Sequence, residues 1–294
     1  MSRLENQRVR ATPPLQFGGD ILARVKCHQR AKKFESDNIK KMPVPYPIDT
    51  LNSWNNPPKD WKLERNEIHV WRVFLAQTVS RLQSLQQTLC TDERTKAERF
   101  YFEKDRRQFI VSRGALRAIL SRELDIHPRD LRFGYNLYGK PALIPEQGGD
   151  TLRFNVSHSH GLALIAITKN RDIGIDIERI RRDFSYLPIA ESFFSPLENA
   201  VLRSLPLHLQ HKAFFTCWTR KEAYIKAVGK GLSIPLDRFD VSLAPGEPPQ
   251  LLNFPENPEE VSRWSLIELI PGFDMVGTVA VEGEIDKLIC WQWQ

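Results

Sequence analysis

Four ionisable side chains carry the chemistry this sequence suggests: Asp176, Glu178, Glu222 and Lys226. In Ile173-Gly-Ile-Asp-Ile-Glu178 the residues alternate with period two, so Asp176 and Glu178 share one face of a strand and Ile173, Ile175 and Ile177 the other. Trp218, Glu222 and Lys226 recur every four residues in a stretch that lacks Pro, is rich in helix formers to Val228 and stops at Gly229 and Gly231. On a helix that spacing puts a carboxylate and an ammonium in one stripe. On a solvated surface such a pair is worth only a few tenths of a kcal/mol. Here Phe214, Phe215, Trp218, Tyr224 and Ile225 spread apolar bulk around the helix, so its charges need partners inside the protein. Same-face carboxylates repel unless they are protonated, paired with cations or bound to a metal. An oxygen set of Asp176, Glu178 and Glu222 suits Mg2+, which keeps waters and completes its shell with phosphate oxygens. Lys221, Lys226 and His158 would then stabilise phosphate charge, which points to phosphoryl transfer or phosphodiester cleavage.

The elements that must position these groups follow from pattern. Ile68 to Leu75 reads as the first strand. Thr91-Asp92 caps a helix carrying Glu93, Arg94, Lys96 and Arg99, and Asp105 starts another that runs to Leu124, where His127-Pro128 closes it. The basic residues crowding this region are either amphipathic faces balanced by nearby acids or a phosphate site. Tyr138-Gly139-Lys140-Pro141 predicts a turn, Leu152 to Ser157 a strand, His158 to Gly161 a turn and Leu162 to Ile167 an apolar strand. His158 and His160 have the spacing of a metal pair, but no third His or Cys supports one, and a turn histidine beside a phosphate-facing histidine is the plainer reading. Ser195-Pro-Leu-Glu198 has the form of a capping box, a sufficient structural reason for Glu198. Strands are expected at Phe239–Leu243, Trp264–Ile270, Met275–Val281 and Leu288–Trp293, with Pro271 to Asp274 as a hairpin turn. Strand, helix, strands thus occurs twice and suggests a duplicated α/β unit.

With 294 residues and 41% hydrophobic content the chain can bury one large core or two small ones. It shows no membrane-span run and no secretory signal, which predicts a cytoplasmic protein. Cys27, Cys90, Cys217 and Cys290 are scattered, as reduced thiols would be. The net charge of +6 is misleading as a sign of nucleic-acid binding. Residues 1 to 60 hold 11 Lys+Arg against 6 Asp+Glu, leaving 31 against 30 for residues 61 to 294. That basic extension also holds 7 of the 20 prolines and no sustained periodicity, and is read as irregular or flexible. An α/β half over 61–180 and another over 181–294 follow it.

In order, the chain carries Gly139-Lys140-Pro141, Phe154-Asn-Val-Ser-His158-Ser, Gly174-Ile-Asp-Ile-Glu178 and Trp218-Thr-Arg-Lys-Glu222-Ala-Tyr-Ile-Lys226-Ala-Val-Gly-Lys-Gly-Leu232. Together these resemble the motifs of Sfp-type 4′-phosphopantetheinyl transferases, over roughly residues 66 to 294. The resemblance implies a pseudo-twofold α/β fold that binds coenzyme A between its halves. Its activity would move the phosphopantetheine arm to a serine of an apo acyl or peptidyl carrier protein, releasing 3′,5′-ADP. By motif position, Asp176, Glu178 and Glu222 would hold Mg2+ against the pyrophosphate. Ser157, His158, Lys140, Lys221 and, on the basic helix, Lys96 would contact nucleotide phosphates. Glu222, directly or through water, would draw the proton from the carrier serine, Lys226 would stabilise or protonate the leaving phosphate, and Glu198 matches a further acidic position. The family's early Lys-x-x-Lys pattern departs here, with Glu93 three residues before Lys96. A monomer is expected, since both halves lie in one chain. The rival readings are a Mg2+-dependent nuclease, which the even charge of the core disfavours, and a carrier-binding scaffold without turnover.

Overall fold

Helices and sheets alternate through the chain, and the residues that drive each element are those with the matching period. The computed structural model describes residues 53–294; most of the basic extension, its reading as flexible and Cys27 lie outside them. The last residues of that extension are anchored. Asn55 bridges Trp291, Trp54 Nε1 donates to the Ile270 carbonyl at 3.1 Å, and Trp61 and Leu63 are buried.

Strand β1 (Glu67–Phe74) is followed by helices α1 (Val79–Thr88), α2 (Thr91–Glu98) and α3 (Glu103–Leu124). A short hairpin, β2 (Phe133–Tyr135) and β3 (Pro141–Leu143), precedes the longer strands β4 (Leu152–Ser159), β5 (Leu162–Lys169) and β6 (Ile173–Arg179). Three helices follow: α4 (Leu187–Phe193), α5 (Pro196–Ser204) and α6 (Leu207–Val228). The chain ends with β7 (Asp240–Val241), β8 (Leu251–Asn253), α7 (Glu260–Arg263), β9 (Trp264–Leu269), β10 (Met275–Glu282) and β11 (Lys287–Gln292).

Two sheets carry the fold, one ordered β11-β1-β5-β4 and the other β6-β10-β9. Only β11 and β1 run parallel in them, with Ile68 opposite Leu288. Alternation along each strand sorts the apolar residues into three cores. Ile68, Val70, Leu164 and Ala166 of the first sheet pack on Ile173, Ile175, Ile177 and Val279 of the second. The outer face of the first sheet, through Trp71, Val73, Ile165 and Ile167, meets Val111, Ala115 and Ile119 of α3. On the second sheet Val276 and Ala280 meet α6, whose Phe214, Phe215, Trp218 and Tyr224 form an aromatic core with Phe194 and Phe239. The order of layers is therefore helix, sheet, sheet, helix, with a 22-residue helix on each outer face. Sheet pairing does not follow a division at residue 180. β6 lies before that point and pairs with β10, while β11, from the end of the chain, pairs with β1.

Several local expectations are refined. The cap of α2 is Cys90 rather than Thr91 or Asp92, because Glu93 reaches back to the Cys90 N–H at 3.2 Å. The strand β4 continues through His158 and Ser159, leaving only His160 and Gly161 to turn. The helices α1 and α4 have no counterpart in the sequence reading.

Candidate active site

The site forms where β6 lies under α6. Its entry condition is Gly174: a Cβ there would stand 2.1 Å from the Ala223 carbonyl oxygen and 2.3 Å from the Ala227 nitrogen. Glycine lets helix and strand approach until Lys226 reaches the next residue on that face of the strand, Asp176. Lys226 Nζ donates to Asp176 Oδ1 at 2.5 Å and to Ser157 Oγ at 3.2 Å, and Ser157 in turn donates to the same Oδ1 at 2.8 Å. The inward residues of β4 form a ladder along the edge of β6. Asn155 Oδ1 accepts the Ile175 N–H at 2.9 Å, Ser157 holds Asp176, and Ser159 donates to Glu178 Oε2 at 3.0 Å. Thr219 and Thr278 join α6 to β10 at 3.1 Å.

Every charge here is out of water: Asp176, Glu178, Glu222 and Lys226 are all buried. Burial pushes the Asp176 carboxyl up, against the opposing pull of Lys226 and Ser157. Burial also raises Glu222 to about 8, with Lys226 pulling it down and Asp176 adding to the rise. Burial presses Lys226 down, but the charges of Asp176 and Glu222 outweigh it and hold the ammonium above its usual range. Two carboxylate oxygens, Asp176 Oδ2 and Glu222 Oε1, are buried without a hydrogen-bond partner.

Asp176 and Glu178, which the sequence reading expects to share one cation with Glu222, take separate protein partners in the site. Among the described residues no group of three or more His, Cys, Asp and Glu side chains is gathered to hold a metal ion. The positive charge on Asp176 Oδ1 is the ammonium of Lys226, and Glu178 is drawn toward Ser159. The donors nevertheless fit a hard divalent cation chemically. Three carboxylates against one ammonium leave two negative charges when all ionise, and two oxygens still have an unmet need for a positive or protic partner.

The remaining expected residues fall elsewhere. Lys221 is next to Glu222 in sequence but a hundred degrees round the helix, fully buried. Its ammonium donates to the Leu236 and Phe239 carbonyls at 2.6 and 2.5 Å and pairs with Glu198 Oε1 at 2.8 Å. With its three protons so placed, Lys221 is a tie between α6 and the loop before β7, not a phosphate contact. Glu198 is the other half of that tie. It closes the capping box with Ser195 at 2.9 Å and accepts the Val241 N–H at 2.7 Å, which assigns it to the scaffold rather than to the reacting atoms. Lys140 donates to the Ile173 and Ala227 carbonyls at 3.1 and 2.8 Å, and burial lowers it to about 8. It retains a third proton beside the site. His158 is half-buried and points to the face of β4 opposite Ser157, as strand alternation requires. Lys96 lies on α2 with its ammonium 5.4 Å from the centre of the Phe109 ring. The departure at Glu93 has a structural cause: that carboxylate takes Arg113 at 3.3 Å and the fully buried Arg117 at 2.7 Å. Arg106 pairs with Glu103, so part of the basic crowd is balanced locally.

Two contributors were not found from the sequence. Asn136 donates to the Gly229 carbonyl at 2.7 Å and accepts the Lys140 N–H at 2.9 Å, which seats the Gly-Lys-Pro turn on the end of α6. Ser159 repeats the role of Ser157 two residues on, a spacing that matches Asp176 and Glu178 and was visible in the chain.

Comparison with known proteins gives this arrangement a family. The profile of the 4′-phosphopantetheinyl transferase superfamily matches residues 172–275, and a profile of the N-terminal part of 4′-phosphopantetheinyl transferases matches residues 71–170. The 4′-phosphopantetheinyl transferase HetI of Nostoc sp. is 42% identical over 232 residues, covering 79% of this chain and 94% of that protein. Sfp, the 4′-phosphopantetheinyl transferase of Bacillus subtilis, is 36% identical over 154 residues, 52% of this chain and 65% of that protein. With Asp176, Glu178, Glu222 and Lys226 all within the matched region, the chain belongs to the 4′-phosphopantetheinyl transferase superfamily.

Proposed function

We propose that the chain moves the 4′-phosphopantetheine arm of coenzyme A onto a serine hydroxyl of an apo acyl or peptidyl carrier protein and releases 3′,5′-ADP. The observation that carries this reading is the buried group at the crossing of β6 and α6. It holds an ammonium, a carboxylate beside it and two unpartnered carboxylate oxygens, in a chain of this family. Asp176, Glu222 and Glu178 would hold Mg2+, which when bound neutralises the pyrophosphate and makes ADP a better leaving group.

The chain's own residues do the rest by position and charge. The serine oxygen forms a bond to the phosphorus carrying pantetheine, while the bond from that phosphorus to the ADP oxygen breaks. Glu222, as carboxylate, takes the serine proton. Lys226 holds Asp176 before reaction and is placed to stabilise or protonate the departing phosphate. The third proton of Lys140 is at hand for a nucleotide phosphate, whereas the one hydroxyl proton of Ser157 is already on Asp176 Oδ1, so Ser157 serves by holding that carboxylate. Broad use of carrier proteins, monomeric action and a cytoplasmic setting complete the reading. It is supported by a site built within one chain and by the even charge of residues 61 to 294. Among the described residues no helix is long and apolar enough to cross a membrane.

The test is to incubate the protein with coenzyme A, Mg2+ and an apo-carrier and weigh the carrier. A gain of one phosphopantetheine arm is expected from wild type. Asp176→Ala should lose transfer by about a thousandfold or more while keeping its circular dichroism. An unchanged carrier mass with wild type, or wild-type transfer by Asp176→Ala, overturns the assignment.

A further inference from the structure

Ser159 and His160 take no part in the transfer described above, yet they join the buried carboxylates to the surface. Ser159 is 9% exposed, the last inward residue of β4, and its hydroxyl donates to Glu178 Oε2 at 3.0 Å. A hydroxyl has one proton to give. With that proton on the carboxylate, Ser159 Oγ can only accept from His160, whose Nδ1 lies 3.0 Å away. The bond therefore selects the ring form with hydrogen on Nδ1. The turn that ends β4 makes this possible: His160 has φ of 47° and Gly161 of 84°, a left-handed pair that folds the imidazole back over the preceding residue. The result is a directed chain, His160 Nδ1–H to Ser159 Oγ–H to Glu178 Oε2. Ser157 makes the equivalent bond to Asp176 one step earlier on the same strand.

We propose that Ser159, oriented by His160, is a positioning residue that fixes the Glu178 carboxylate for capture of Mg2+. The inference rests on the Mg2+ reading of the site. Its physical basis is that a glutamate has three side-chain torsions to freeze when it becomes a ligand, and a hydrogen bond to one oxygen freezes them beforehand. Groups that orient metal ligands in this way typically contribute ten- to hundredfold in affinity.

The experiment is calorimetric titration of Mg2+ into the full-length wild type and into Ser159→Ala, Ser159→Thr, His160→Ala and Asp176→Ala, with thermal melts in EDTA to verify folding. Ser159→Ala is expected to bind Mg2+ about tenfold more weakly, and His160→Ala to fall between it and wild type. Threonine keeps the hydroxyl and should restore the affinity. Wild-type affinity in Ser159→Ala overturns the positioning role; if Asp176→Ala still loses binding, the Mg2+ site itself stands. A loss in alanine that threonine does not recover assigns the effect to packing and likewise overturns it. Wild type that takes up no Mg2+ overturns both readings, because Glu178 then has no cation to face.

Discussion

Glu222 has a protonation state set by its burial in the fold. Burial holds it neutral to about pH 8, whereas its ordinary value is 4.5. The unfolded chain releases the proton at the lower pH, so the contribution of Glu222 to stability is full below about 4.5 and is lost as pH rises through about 8. Glu222→Gln, which keeps the neutral shape, should therefore melt close to wild type at pH 5 in EDTA. It should melt above wild type at pH 8 to 9, by an amount equivalent to about 1–3 kcal/mol. A melting difference that stays flat across that range would show that Glu222 ionises freely in the fold. Lys226 carries the opposite liability. Lys226→Met removes the ammonium that pairs with Asp176 and should destabilise by about 3 kcal/mol, as breaking a buried pair does, measured by urea unfolding. The residues of this site were legible as types and spacings: two carboxylates on alternate strand positions, and a glutamate and a lysine four apart. Their partners were not, because Ser157 and Lys226 are 69 positions apart and nothing local reports that they meet.

Among the elements, α6 carries two different polar assemblies on two faces. One faces β6 and holds Glu222 and Lys226; the other faces the loop before β7 and holds Lys221 with Glu198. That separation explains why Lys221 and Glu222, neighbours in the chain, serve unrelated ends. Lys221→Met leaves Glu198 buried without its cation and should destabilise by about 3–5 kcal/mol, and Glu198→Gln should cost a comparable amount. The double variant should cost less than the sum of the two, since neither charge is then left alone. Urea denaturation of the three proteins measures it, and full additivity would contradict the pairing. Contact between α6 and β6 depends on Gly174, so Gly174→Ala should cost about 3 kcal/mol and lower transfer through displacement of Lys226, with both read on one preparation. The helix, strand and cap assignments around these points were legible because each rests on local periodicity or a local hydrogen bond, as at Ser195 and Glu198. Short helices such as α4 lack that periodicity and are fixed by what they pack against.

At the scale of the whole molecule, the ends of the described chain are tied together. β11 is the parallel edge partner of β1; Trp291 within it and Trp293 just after it pack on the core between the first sheet and α3. Deleting residues 287–294 should therefore unfold the first sheet rather than trim a tail, giving loss of soluble protein or a non-cooperative melt. A truncated chain with the wild-type melting curve would refute that dependence. The sequence by itself determined the α/β class, most long strands and helices, the family resemblance and the identities of the acidic and basic residues of the site. Those depend on side-chain type and on periods of two or 3.6, both written locally. The tertiary structure alone decided that Lys226 stands on Asp176, that Lys221 and Glu198 form a separate buried tie and that β4 holds β6 through a ladder of Asn155, Ser157 and Ser159. Each of those is a contact between distant segments, chosen when three apolar cores settle the layers and bring the polar groups between them into reach.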